Sequence, residues 1–151
     1  MRGVTSGEVQ MEGLRNLTVL IGRFLLALIF VLSGFGKLTS ISGTAAFMAH
    51  SGMPQGLVYP ALIVTILVEL GLGLLIVIGY QARIAAFLMF LWFIPVTIMF
   101  HVMPYRAAVA HGDAMGAMMQ QINFMKNISI MGGLLLITGF GSGAWSADGG
   151  K

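Results

Sequence analysis

Residues 57–78 read Leu57-Val58-Tyr59-Pro60-Ala61-Leu62-Ile63-Val64-Thr65-Ile66-Leu67-Val68-Glu69-Leu70-Gly71-Leu72-Gly73-Leu74-Leu75-Ile76-Val77-Ile78, a predominantly apolar run with a single charged residue at its centre. The run exceeds the ~20 residues that a bilayer-crossing helix needs. A carboxylate halfway through it must meet a cation from another helix or take up a proton, because an isolated charge in hydrocarbon is too costly to keep. Thr65 and Gly73 flank Glu69 at i−4 and i+4, giving a small and polar stripe suited to close helix contact.

Three more apolar segments lie on either side of this one, at about residues 17–35, 84–103 and 128–140, the last extended backward through Asn123 to Lys126. The composition agrees with four spans. Of 151 residues, 58% are hydrophobic and 9% charged, with mean hydropathy +0.94, whereas soluble proteins carry about 25% charged residues. Eight Lys/Arg and five Asp/Glu cannot cover a water-exposed surface, so lipid must solvate most of it. The expected fold is an all-α bundle of four transmembrane helices (residues 17–141), with a short interfacial helix in the connections. Polar tails at 1–16 and 142–151 flank the bundle. The start does not read as a cleavable signal peptide, since residues 1–16 carry both signs and no A-x-A-like site follows the first apolar run.

The connections differ in kind. Gly79-Tyr80-Gln81-Ala82-Arg83 is a tight turn that makes the second and third helices antiparallel neighbours. Residues 44–50 have the makings of one or two interfacial helical turns. In the longer stretch 104–121, Met115, Met118 and Met119, continued by Ile122 and Met125, recur at helical spacing and suggest an amphipathic helix leading into the fourth span. Counting cations near the helix ends places Arg2, Arg15, Arg23, Arg83 and Lys151 on the side of the termini and Lys37, Arg106 and Lys126 on the other. This bias favours cytoplasmic termini.

Polar residues within the spans are the candidates for chemistry. Arg23, Phe30, Gly34 and Lys37 fall within a sector of roughly 60° on the first helix. Snorkelling to the headgroups accounts for Lys37 well and for Arg23 less well. Glu69 is the candidate proton acceptor, with Arg23, Lys37, Arg83 or Lys126 as its partner; the alternative is a buried ion pair that only fixes helix register. Pro95 should kink the third helix and free a carbonyl. His101 shares a face with Thr97 and is either an interfacial hydrogen-bonding residue or a titrating one. Asn123, Lys126 and Asn127 either bond neighbouring helices or form a polar collar. Together Arg23, Lys37, Glu69, Arg83, His101, Lys126 and Asn127 would make a polar interior, with Trp92, Phe93 and Phe100 lining an apolar slot beside it.

Several classes are argued down. There is no cysteine, which removes thiolate chemistry and iron–sulfur ligation. A membrane b-type haem wants two facing histidines, and only His101 sits near a span, with His50 and His111 in connections. The twelve methionines suit adaptable apolar packing better than copper, so no metal is expected. The net charge of +3 is scattered, unlike a nucleic-acid footprint. No phosphate loop is present, since Ser33-Gly34-Phe35-Gly36 lacks the required ending and a preceding strand, and no Ser–His–Asp arrangement is legible.

The ordered landmarks resemble those of the DoxX family of small membrane proteins. They are Ile21-Gly22-Arg23-Phe24, Ser33-Gly34-Phe35-Gly36-Lys37-Leu38, Val68-Glu69-Leu70-Gly71-Leu72-Gly73, Gly79-Tyr80-Gln81-Ala82-Arg83 and Lys126-Asn127-Ile128-Ser129-Ile130, followed by Gly139-Phe140-Gly141. The resemblance implies a four-helix fold in the bacterial cytoplasmic (inner) membrane. It also implies a role as membrane subunit of a redox complex, quinone-linked or concerned with oxidative stress, working with soluble or membrane redox partner proteins. Since the chain encodes no redox centre of its own, it would not be an enzyme alone, and a quinone is the expected cofactor. A non-enzymatic scaffold or assembly factor is the alternative. A small transporter is a further one, for which four helices are few unless a homo-oligomer supplies more.

Overall fold

The structure, a computed structural model, describes residues 6–150; Arg2 and Lys151, both used in the cation count, lie outside them. Six α-helices follow in order: α1 (Ser6–Thr39), α2 (Ile41–His50), α3 (Gln55–Ile78), α4 (Ala82–Thr97), α5 (Met103–Ala110) and α6 (Ala114–Phe140). A π-helical segment, Ile98–Val102, joins α4 to α5. Four helical stretches are long and apolar enough to cross a membrane: Gly7–Thr39, Gln55–Ile78, Ala82–Ala110 and Ala114–Phe140.

The helix ends follow from local chemistry. Glu8 in the first turn of α1 and Lys37 in its last oppose the helix dipole at each end. Gly79 closes α3 in the left-handed region at φ 74°, its N–H bonded to the Leu75 carbonyl, a conformation that costs glycine little. Asp113 caps α6 by accepting from the Gly116 N–H at 2.9 Å, satisfying a donor that the first turn leaves free.

Boundaries differ from the sequence reading in three places. The first helix begins at Ser6 rather than near Leu17, so residues 6–16 of the expected polar tail are helical. The third span does not stop near Met103 but continues to Ala110. Pro104 brings no N–H and crowds the preceding turn; the chain widens there instead of ending, with the Met103 N–H reaching back five residues to the Ile98 carbonyl. The methionine-bearing segment is helical and leads into the fourth span without a break, the two forming one continuous helix from Ala114 to Phe140. The short helix of the first connection is present as α2, beginning at Ile41 rather than Thr44.

The bundle is turned inside out relative to a soluble protein. On α3, Leu67 is 67% exposed while Glu69 is 5% exposed, so large aliphatic groups face outward and the carboxylate faces in. Lipid is as apolar as leucine, so burying aliphatic surface between spans gains little, and close packing must hold the helices together. Gly34 and Gly73 supply it. A Cβ on Gly34 would lie 2.8 Å from Leu70 Cγ and 3.2 Å from Glu69 Cβ, and one on Gly73 would lie 3.2 Å from Val31. The backbones of α1 and α3 thereby approach closely on both sides of Glu69. The main core gathers Ala27, Phe30, Ile76, Ala85, Ala86, Met89, Phe93, Ile130 and Leu134. A second cluster joins Ala45 and Met48 of α2 to Val58, Leu62 and Ile66 of α3.

Candidate functional site

The residues of α1 that share a face all point inward. Arg23, Ala27 and Phe30 are 3%, 0% and 2% exposed, and Gly34 and Lys37 continue the row against α3. Lys37 answers Glu69. Its Nζ donates to Glu69 Oε2 at 2.8 Å, to Oε1 at 3.0 Å and to Ser33 Oγ at 2.5 Å. The ammonium thus spends its three donors on one carboxylate and one hydroxyl. Ser33 was not among the sequence candidates, although its place one turn before Lys37 on the same face is a legible signal.

A cavity of about 290 Å³ opens beside this pair. Ser33, Lys37, Thr65 and Glu69 form one wall. Phe30, Phe93 and Phe100 form the apolar part, and His101, Lys126 and Asn127 complete the lining from the far helices. Phe30 and Phe93 meet edge to face with centroids 5.2 Å apart, and Phe47 stacks on Phe100 at 5.8 Å. His101 lies in the π segment, a local widening often found where a helix presents functional groups. Its Nδ1 is 2.9 Å from Gln120 Oε1. Lys126 Nζ donates to Asn123 Oδ1 at 3.0 Å, so Lys126 lines the cavity without joining the Glu69 pair. Trp92 does not line the cavity; its Nε1 is buried with no partner among the described residues.

Asn127 and Thr97 tie α6 to α4 at the cavity floor. Asn127 Nδ2 donates to Thr97 Oγ1 at 3.1 Å, and Thr97 donates to the Phe93 carbonyl at 2.6 Å; both residues are 3% exposed. Replacing Asn127 by leucine removes one interhelical bond but leaves Thr97 bonded to Phe93. The expected cost is about 0.6–1.7 kcal/mol, measured by unfolding in detergent. A larger loss would mean that Asn127 holds more of the site than this bond.

The remaining two candidate cations lie at the opposite end of the bundle. Arg23 donates to the Ser142 carbonyl and, at 3.0 Å, to that of Trp145. Arg83 Nη1 donates to the carbonyls of Gly139 at 2.7 Å and Thr138 at 3.3 Å, the favoured position for a cation at a helix C-terminus. Neither reaches Glu69. Residues 142–150 fold back on this end: Ser142 is 1% exposed, and the N–H groups of Ala147 and Asp148 donate to the carbonyls of Ile78 and Gly79, each at 3.1 Å. The polar groups of the spans therefore form two layers. One is a carbonyl-binding layer around Arg23 and Arg83. The other is a layer around the cavity, where a carboxylate, an ammonium and an imidazole converge.

Comparison with known proteins agrees with this architecture. Two proteins of Escherichia coli (strain K12) are similar over nearly the whole chain. "Inner membrane protein YqjF" is 33% identical over 138 residues, 91% of this chain and 95% of the relative. "Inner membrane protein YphA" is 37% identical over 134 residues, 89% of this chain and 90% of the relative. No solved structure is significantly similar. The DoxX family model matches residues 18–102, the stretch that carries Arg23, the Lys37–Glu69 pair and His101, and this integral membrane protein belongs to the DoxX family.

Proposed function

We propose that the protein is a membrane subunit of a redox assembly in the bacterial inner membrane, and that its cavity receives the head group of a quinone. The observation that carries this reading is the composition of the cavity wall, where the Lys37–Glu69 pair faces Phe30, Phe93 and Phe100 across about 290 Å³. Reduction of a quinone takes two electrons and two protons and develops negative charge on its oxygens. Lys37 can donate to such an oxygen by giving up its bond to Ser33, with Glu69 placed to pass a proton and His101 to accept or return one. The aromatic rings offer a flat, apolar slot for the ring of the quinone. Electrons come from a partner protein. The inner-membrane location rests on the names of the two relatives. Cytoplasmic termini rest on Arg15, Arg23 and Arg83 at their end of the bundle.

One observation favours a second reading, a scaffold or assembly factor. The Glu69 carboxylate is already matched within the chain, as a pair that only fixes helix register would be. The two readings part in one experiment. Wild-type protein and the Glu69→Gln variant are purified from quinone-containing membranes, and the extracted lipid is analysed. Quinone held by the wild type and lost from the variant is the expected result. Protein free of quinone, together with Glu69→Gln cells of unchanged redox activity, would overturn the redox reading; a partner captured by both forms would then favour the scaffold.

A further inference from the structure

We propose that the groove between the first and last spans, at the end of the bundle that holds Arg23, is a binding site for an anionic phospholipid. Arg23 is 3% exposed, yet its partners are two neutral carbonyls, and its Nε has no partner among the described residues. Carbonyl dipoles solvate a cation without cancelling its charge. The ion pairs among the described residues join Arg15 to Glu12 and Lys37 to Glu69, and neither involves Arg23. A buried charge left in this state attracts a counter-ion from outside the chain.

The groove beside it, of about 790 Å³, has the shape and polarity of an amphiphile. Arg15 and Asn16 line one end, Arg23 forms part of the wall, and Leu26, Leu136 and Phe140 line much of the rest, with no Asp or Glu among the described lining residues. Leu136 is 60% and Phe140 81% exposed, so the apolar part runs directly into the surface that faces the acyl chains. A phosphodiester held at Arg15 and Asn16 sits in the field of Arg23, while its chain lies along Leu26 and Leu136. The contact of Arg15 with Glu12 is long, 4.0 Å, with both side chains well exposed, and such a pair yields readily to a better anion. Juxtamembrane cations recruit anionic lipid with about 1 kcal/mol each; the groove adds shape to that attraction. Free phosphate shares the head group but cannot use the apolar wall, so the occupant is a lipid of the surrounding bilayer.

The test uses the full chain in the Trp92→Phe background, which leaves Trp145, whose carbonyl binds Arg23, as the fluorophore. Protein is placed in phosphatidylcholine vesicles containing a minor fraction of phosphatidylglycerol brominated on its chains, or the same fraction of brominated phosphatidylcholine. Stronger quenching by the anionic lipid, reduced about fivefold in apparent affinity by Arg15→Gln, is the expected result. Glycerol phosphate in the aqueous phase should not compete. Equal quenching by the two lipids, or full selectivity in Arg15→Gln, or competition by glycerol phosphate, would overturn the proposal. Arg15 is exposed on the surface of α1, so this variant keeps the fold. Thermal stability in detergent with and without phosphatidylglycerol gives a second readout, and a rise on adding the anionic lipid that survives Arg15→Gln unchanged would also count against the site.

Discussion

Replacing Lys37 by methionine is expected to destabilise the bundle by about 3–5 kcal/mol, the cost of removing one partner from a buried pair. The direction of the asymmetry within the pair is the informative part. The Lys37 side chain is 24% exposed and that of Glu69 7%. Loss of the lysine strands the more deeply buried charge, whose oxygens have no other donor among the described residues. Loss of the carboxylate in Glu69→Gln strands a lysine that still holds Ser33 and can swing its flexible stem toward the headgroups; the expected cost is about 1–3 kcal/mol. The double variant Lys37→Met/Glu69→Met should recover most of the stability of the wild type, since a well-packed apolar pair often matches a buried ion pair. Unfolding of the wild type, Lys37→Met, Glu69→Met and the double variant by denaturing detergent gives the cycle, with Glu69→Gln measured beside it. A cost below about 1 kcal/mol for Lys37→Met would place the pair in the class of solvated surface bridges, and the polar interior would be lost with it. Under the redox reading the double variant is stable and empty of quinone; under the scaffold reading it is stable and functional.

Much of this was legible in the sequence, for identifiable reasons. The period of an α-helix put Arg23, Phe30, Gly34 and Lys37 on one face, and the cost of a charge in lipid required a cation opposite Glu69. Which cation was not legible. Periodicity gives the direction of a side chain around its axis, and says nothing about the relative height of two helices. That height is set by Gly34 against Leu70 and Gly73 against Val31, and it brings Lys37 to Glu69 while carrying Arg23 to the level of Gly79. Arg23 was harder still, because its partners are backbone carbonyls of Ser142 and Trp145, and a carbonyl leaves no mark in a sequence. Of the aromatic slot, Phe93 and Phe100 reach the cavity and Trp92 does not. Phe93 and Phe100 are two helical turns apart and share a face, whereas Trp92 is one position off it. The passage from α4 to α5 was hidden by Pro104, which reads as a stop unless a widened turn precedes it.

The second large effect is expected at the other polar layer, from Gly79→Val. Gly79 sits at φ 74°, and a Cβ there would lie 2.5 Å from Ser146 Cβ and 2.6 Å from Arg23 Nη1. Left-handed backbone strain for a branched residue and overpacking each cost about 1–3 kcal/mol, together about 2–6 kcal/mol. The strain can be relieved in one way without breaking the spans: residues 142–150 lift away, giving up the bonds of Ala147 and Asp148 to Ile78 and Gly79 and leaving Arg23 without its two carbonyls. The chain has no cysteine, so a single Ser142→Cys substitution reports on this directly. Ser142 is 1% exposed, and a thiol there should label slowly in the wild type and much faster in Gly79→Val. Gly71→Val is the control, since a Cβ at Gly71 meets nothing within 4 Å; it should leave both labelling and stability nearly unchanged. Equal labelling rates in Gly79→Val and the control would show that the C-terminal segment is not held by Arg23 and the end of α3. If instead the segment lifts, the buried guanidinium is exposed to the membrane surface, and selectivity for anionic lipid should change with it, because the carbonyls that now share Arg23 would no longer compete for its donors.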